Sequence, residues 1–134
     1  MTVAYVDSSA IVKLVVDETE TKALRRWMEA GVTCMTSRVS MVEVPRALRR
    51  KGQVSLDLAT GALEEVLRAL AFLEIDAATA ERAATVGPPA LRSLDAIHLA
   101  SALSLAAELD AFVTYDVRLA DAVRDAGLAV IAPA

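Results

Sequence analysis

Five short apolar segments recur along this chain, and stretches with helical periodicity separate each from the next. Segments that are apolar at nearly every residue, rather than at alternate ones, are typical of parallel strands buried on both faces. They are Val3–Val6, Val32–Thr36, Phe72–Ile75, Ala111–Thr114 and Leu128–Ile131. The pattern predicts an α/β fold, a three-layer α/β/α arrangement around a five-stranded parallel sheet.

The intervening stretches predict seven helices. Ser8 or Ser9 is expected to cap the first, and Ser93 the sixth. Pro45 falls inside the third, where a proline removes one backbone hydrogen bond and is expected to kink the axis. The predicted helices are Ile11–Val15, Glu18–Ala30, a helix opened by Ser37 or Ser40 and ending near Lys51, Leu56–Leu70, Ala77–Val86, Leu94–Leu109 and Val117–Ala126. With no repeat or linker between them, residues 1–134 are predicted to form a single domain.

Composition narrows the class of protein further. Apolar residues make up 55% of the sequence and aromatic residues only 4%, which predicts an ordered chain with an aliphatic core. The single cysteine, Cys34, excludes an internal disulfide and lies in a predicted strand, which favours plain packing in a reducing compartment. No apolar run approaches the ~20 residues that span a bilayer, and an acid follows the N-terminus too early for a signal peptide. We therefore expect a cytoplasmic protein with no membrane association.

Four acidic residues stand where a parallel sheet exposes its functional edge. Asp7 directly follows the first strand and Asp116 follows the fourth by two residues, while Glu43 and Asp95 lie near the starts of helices. Each has a structural alternative: a strand-end acid can cap the next helix, and an acid in a first turn interacts favourably with the helix dipole. Glu43 can also pair with Arg46, three residues later.

Geometry nevertheless favours a shared site for these acids. The carboxyl ends of parallel strands and the N-termini of the helices that follow lie at the same edge of a sheet. Carboxylates about 4 Å apart repel one another by roughly 1–4 kcal/mol, so such a cluster requires a counter-ion. Oxygen ligands without histidine or cysteine select hard cations, here Mg²⁺ or Mn²⁺. These ions can activate a water molecule and stabilise the leaving oxygen of a phosphodiester, which predicts a nuclease.

Four stretches of the sequence resemble the acidic blocks of PIN-domain ribonucleases, most closely the VapC-type toxins of toxin–antitoxin pairs. They are YVDSSAIVKL, SRVSMVEVPRAL, LRSLDAIHLASA and FVTYDVRLADA. The resemblance implies a PIN-like sheet flanked by helices, metal-dependent endonucleolytic cleavage of RNA with one or two Mg²⁺ or Mn²⁺ ions, a cognate antitoxin that occludes the site, and often a homodimer.

The resemblance also assigns roles to individual residues. Asp7, Glu43, Asp95 and Asp116 match the family's metal-binding acids, and Ser9 and Thr114 match polar positions that support a carboxylate or a metal-bound water. Pro45 departs from the family's pattern and leaves the orientation of Glu43 open.

Basic residues and the lone histidine are further candidates. Arg46 and Arg50 share a helix face with Glu43, which favours contacts with RNA phosphates or with an acidic antitoxin surface; Arg92, three residues before Asp95, is a weaker candidate. The alternative for this basic run is a favourable cluster at a helix C-terminus. His98, three residues after Asp95, is expected to be a packed histidine rather than a general base, because a metal-activated water needs no imidazole.

A net charge of −4 disfavours nonspecific nucleic-acid binding unless ions reverse the sign of the acidic site.

Two other functions remain open from the sequence. The same scaffold with weak metal binding would act as a binding module through RNA or protein contact, although its four acids are intact. A phosphoryl-acceptor enzyme also uses acids at strand ends, but such phosphatases usually carry a second aspartate where Ser9 stands.

Overall fold

A computed structural model of the protein describes residues 2–52 and 56–134, and in these ranges it contains five strands and seven helices. The strands are β1 (Thr2–Val6), β2 (Val32–Ser37), β3 (Ala71–Leu73), β4 (Ala111–Val113) and β5 (Val130–Ile131). The helices are α1 (Ser8–Val15), α2 (Thr21–Glu29), α3 (Ser40–Lys51), α4 (Leu56–Arg68), α5 (Ala77–Thr85), α6 (Ser93–Leu103) and α7 (Val117–Asp125). The predicted α/β class and the parallel sheet are confirmed.

The strands pair in the order β3-β2-β1-β4-β5, and every pairing is parallel. The sheet therefore grows outward from β1 in two directions, first through β2 and β3 and later through β4 and β5. The point where this direction reverses lies between β1 and β4, where Val6 is in register with Val113. In open parallel sheets such a switch point opens a crevice at the carboxyl ends of the strands.

Two apolar clusters cover the two faces of the sheet. Ala4 and Val6 of β1 face a cluster built with α1, α2, α3 and α4. Tyr5, between them, faces the other side, where it stacks on Phe112 at a ring-centroid distance of 4.9 Å and packs against α6 and α7. Because alternate residues of β1 enter opposite cores, the sheet is the middle of three layers, as predicted.

Several predicted boundaries differ from the observed ones. The second helix starts at Thr21 rather than Glu18, and the sixth ends at Leu103 rather than Leu109. The third and fifth strands are shorter than predicted, because only Ala71–Leu73 and Val130–Ile131 join the ladder. Pro45 does lie inside α3.

The predicted caps were also partly wrong. Asp7, rather than Ser8 or Ser9, caps α1, since its side chain accepts a hydrogen bond from Ala10 N. Arg92 occupies the capping position of α6 in place of Ser93, and its side chain makes no capping bond.

Candidate active site

Asp7 stands at the switch point, immediately after the central strand, and its side chain is only 3% exposed. Its Oδ1 accepts hydrogen bonds from Ser9 Oγ at 2.7 Å and from Ala10 N at 3.0 Å. Its Oδ2 accepts one from Thr114 Oγ1 at 2.6 Å. Burial raises the pKa of Asp7 even though these three donors favour the carboxylate. The group is therefore rigidly held and costly to ionise without a cation nearby.

Asp116 begins α7 two residues beyond Thr114. Its Oδ1 accepts from Arg118 N at 2.9 Å and from Leu119 N at 3.1 Å, so it caps this helix. Thr114 Oγ1 donates a hydrogen bond to Asp7 and also accepts one from Asp116 N at 3.1 Å. One hydroxyl thus links the backbone at Asp116 to the carboxylate at Asp7. Asp7 and Asp116 can each cap a helix and also take part in the site, because each uses only one carboxylate oxygen for its cap.

Glu43 lies in the first turn of α3 and is partly buried. Its Oε1 accepts hydrogen bonds from His98 Nε2 at 2.6 Å and from Ser8 Oγ at 2.8 Å. Burial by itself raises the pKa of Glu43, but the bonds from His98 and Ser8 outweigh it and hold the pKa below its ordinary value. Among the described residues Glu43 forms no ion pair with Arg46, the partner that its sequence spacing allowed.

Asp95 lies in the first turn of α6. Burial raises its pKa, and the negative charges of Asp116, Glu43 and Asp7 raise it further. The four acids are therefore near enough to repel one another electrostatically.

All four acids line one cavity of about 390 Å³. Ser9 also lines it, whereas Thr114 is buried directly behind Asp7. Arg46 and Arg50 of α3 also line the cavity, so basic side chains lie beside its four acids. Arg92 is exposed and is not among the residues that line the cavity.

The donor chemistry of this cavity suits a hard divalent cation, because four carboxylates converge and their mutual repulsion would be relieved by positive charge. Among the side chains that the structure describes, no three of His, Cys, Asp or Glu stand together as a ready-made metal site. Three of the acids instead bond to protein donors: Asp7 through both oxygens, and Asp116 and Glu43 through one each. Mg²⁺ commonly keeps several water ligands and needs only one or two direct carboxylates, so this arrangement fits it.

Three residues of this region were not predicted as part of it. His98 is 1% exposed, as expected of a packed histidine, but it also bonds to Glu43 and lines the cavity. Tyr5 OH lies 2.6 Å from His98 Nδ1, and Ser8 Oγ lies 3.1 Å from His98 Nε2. The spacing of His98 from Asp95 was visible in the sequence, but the approach of α6 to α3 was not.

Comparison with known proteins identifies the family. The PIN domain matches residues 4–125. Ribonuclease VapC47 of Mycobacterium tuberculosis (strain CDC 1551 / Oshkosh) is 41% identical over 96% of both chains. Ribonuclease VapC46 of Mycobacterium tuberculosis (strain ATCC 25618 / H37Rv) is 42% identical over 99% of both chains. The chain belongs to the PIN-domain family, and its resemblance to VapC ribonucleases is confirmed.

Solved structures agree with this assignment at the level of the fold. The PIN-domain chain superimposes on Mycobacterium tuberculosis VapC20, a toxin that cleaves the sarcin–ricin loop, with a TM-score of 0.71 and 18% identity over 97% of this chain and 99% of that one. A toxin–antitoxin complex from Klebsiella pneumoniae gives a TM-score of 0.67 and 19% identity over 98% of each chain. In the part of the chain that the structure describes, no helix is both long and apolar enough to cross a membrane.

Proposed function

We propose that this PIN-domain chain is the toxin of a type II toxin–antitoxin pair, an endoribonuclease that depends on Mg²⁺ or Mn²⁺ and uses Asp7, Glu43, Asp95 and Asp116 as its catalytic acids. The observation that carries the proposal is the lining of one cavity by all four acids, in a chain more than 40% identical to named ribonucleases. We further propose that residues 1–134 form one nuclease domain that acts in the cytoplasm, where its RNA substrate is found.

Each residue has a defined part in this proposal. When bound, one or two Mg²⁺ or Mn²⁺ ions would supply an activated water and neutralise charge on the phosphate. Asp7 supplies the most rigid carboxylate, because Ser9 and Thr114 fix its two oxygens. Asp95 and Asp116 complete the acidic floor. Thr114 and Ser9 act through Asp7 and are not expected to touch the RNA.

Arg46 and Arg50 are proposed to contact the phosphate backbone. They lie on the wall of the cavity beside Glu43, and arginine pairs well with phosphate oxygens. Such contacts offset the net charge of −4 locally, which otherwise opposes RNA binding. Arg92 lies outside this wall, so any contact that it makes with RNA or an antitoxin is peripheral to the cavity.

The partners are proposed from the named relatives. Solved structures with a fold similar to that of this chain include VapBC2 of Rickettsia felis (TM-score 0.71, 10% identity), VapBC-1 of Haemophilus influenzae and the Klebsiella pneumoniae complex. By analogy we propose a cognate antitoxin that covers the cavity. A homodimer of this chain is proposed from the resemblance to VapC-type toxins alone.

The deciding experiment is cleavage of total cellular RNA by the purified protein with Mg²⁺, with Mn²⁺ and with EDTA. We expect metal-dependent fragments from the wild type and none from Asp7→Asn or Asp95→Asn. Asp121→Asn is the matched control, because it removes an equal charge from an exposed aspartate on α7 that pairs with Arg124. Equal cleavage by the Asp7→Asn and Asp121→Asn variants would remove Asp7 from the site.

The alternative, a binding module with weak metal affinity, predicts no cleavage by folded protein under any metal condition. Expression in cells separates this result from a narrow substrate range. Growth arrest by the wild type but not by Asp7→Asn supports a nuclease, whereas equal arrest by both supports action through contact alone.

A further inference from the structure

His98 is the buried centre of a hydrogen-bond chain that starts in the sheet and ends at the cavity. Tyr5 OH lies 2.6 Å from Nδ1, and Glu43 Oε1 lies 2.6 Å from Nε2. Tyr5 is fully buried in the middle of the central strand and His98 is 1% exposed, so neither group has access to bulk water. The chain therefore connects a rigid part of the fold to a carboxylate of the candidate site.

The geometry fixes the orientation of the ring. An ionised carboxylate can only accept, so Nε2 donates to Glu43 Oε1. The second hydrogen bond, between Nδ1 and the hydroxyl of Tyr5, holds the opposite side of the ring. Tyr5 thereby keeps the imidazole in the orientation that directs Nε2 at Glu43.

Ser8 reinforces the same contact. Its hydroxyl donates to Glu43 Oε1 at 2.8 Å and lies 3.3 Å from Ser40 Oγ, which in turn lies 2.7 Å from Thr36 Oγ1. Both His98 and Ser8 are therefore directed at Oε1. Within the described ranges no donor bonds to Oε2, the other oxygen of this carboxylate. One oxygen is anchored by the protein and the other remains available for a cation.

We propose that His98 is a positioning residue, which together with Tyr5 holds the carboxylate of Glu43 in place as a ligand of the proposed metal site. The inference rests on the proposed function, since it concerns the metal that this function requires. His98 does not act as a base on the attacking water, because both ring nitrogens are already engaged by protein groups. It acts through Glu43, as residues behind metal-binding carboxylates commonly do.

The test measures Mn²⁺ affinity by titration calorimetry in the absence of RNA. His98→Leu removes both hydrogen bonds at similar volume, and we expect affinity to fall by about 10- to 100-fold, the usual effect of losing such a support. His98→Gln keeps an amide donor near the position of Nε2 and should recover most of the affinity. Tyr5→Phe removes the hydrogen-bond partner of Nδ1 and should weaken binding, because the ring is then held through Nε2 alone.

Two controls separate positioning from loss of stability. Leu99→Val alters the next residue of α6, which is fully buried in the same apolar cluster as Tyr5 but carries no polar atom of the hydrogen-bond chain, and should lower thermal stability without changing Mn²⁺ affinity. In a Glu43→Gln background, His98→Leu should have no further effect on affinity, because the two residues act as one unit. Folding of each variant is checked by circular dichroism.

The outcomes are distinct. Wild-type Mn²⁺ affinity in folded Tyr5→Phe, or in a folded His98→Leu protein, overturns the inference even if RNA is cleaved. A loss of affinity that persists in the Glu43→Gln background also overturns it. If affinity depends on His98 as expected but the wild type neither cleaves RNA nor arrests growth in an Asp7-dependent way, the positioning role stands and the nuclease function fails.

Discussion

Asp7 serves the fold and the candidate site with different parts of one side chain. Through Oδ1 it caps α1, and through Oδ2 it accepts a hydrogen bond from Thr114, the residue after β4. Because its folded pKa is raised, protonated Asp7 favours folding at low pH, and this stabilisation is lost as the pH rises through the raised pKa. Ionisation of Asp7 therefore opposes folding of the metal-free protein.

This conflict predicts a stability change for Asp7→Asn. Asparagine caps helices as well as aspartate does and carries no charge, so the metal-free variant should melt at or above the wild-type temperature at neutral pH. Cleavage should nevertheless be abolished. Differential scanning calorimetry in EDTA provides the measurement. Asp7→Ala is the control, since loss of the cap should cost about 1 kcal/mol. A large destabilisation by Asp7→Asn would contradict this account of the buried charge.

Cys34 gives a second prediction at the level of single residues. It is 5% exposed in β2, and burial raises the pKa of its thiol to about 11. Since the thiolate is the reactive form, the native protein should react with Ellman's reagent at pH 8 only as fast as it unfolds. One equivalent should react at once in guanidinium chloride. Rapid reaction of the native protein would show that this strand opens locally.

At the level of elements, the sequence predicted the existence of the strands and helices better than their ends. The acids at strand ends were predicted correctly as cavity residues, because the carboxyl ends of parallel strands lie at one edge of the sheet and chain direction alone determines which edge it is. The start of α2 was not predicted correctly, because contacts with α1 hold the residues before it. Thr21 Oγ1 donates to Lys13 O at 2.6 Å, and Lys13 forms ion pairs with Glu18 and Glu20. Such tertiary contacts override helix propensity.

The end of α6 has a similar explanation. Its sequence stays rich in alanine and leucine through residue 109, so composition does not mark the boundary. In the structure Ser104 Oγ donates to Ser101 O at 2.6 Å, and the chain continues in tight turns. It reaches Leu109, which packs against the apolar cluster that contains Tyr5 and Phe112. The contact of His98 with Glu43 was likewise unpredictable, because it requires the packing of two helices that are distant in sequence.

Pro45 gives a testable prediction for α3. A proline has no N–H for the carbonyl of Met41, four residues earlier, and its ring crowds that carbonyl. Pro45→Ala should therefore stabilise the protein by about 1–3 kcal/mol in urea unfolding. RNA cleavage should be retained, because His98 and Ser8 hold Glu43 independently of the helix axis. Loss of cleavage with a gain in stability would show that the expected kink is needed to orient Glu43.

At the scale of the whole molecule, the acidic cavity makes stability depend on divalent cations. A cation that binds only the folded state stabilises it by about 2.7 kcal/mol at 100 times its dissociation constant. For a chain of this size, Mn²⁺ at that level should raise the melting temperature by roughly 5–15 °C. Asp7→Asn should abolish most of the shift and Asp121→Asn should keep it. An identical shift in both variants would place the cation elsewhere.

The central position of β1 has a consequence for how the protein is made. Asp7 directly follows this strand, and its hydrogen-bond partner Thr114 is synthesised 107 residues later. At about 5–20 residues per second, roughly 5–20 seconds of translation separate the two. Until then a nascent chain holds Asp7 without β4 or Asp116, so it cannot assemble the acidic cavity. The candidate site therefore becomes complete only after the segment between β1 and α7 has been translated.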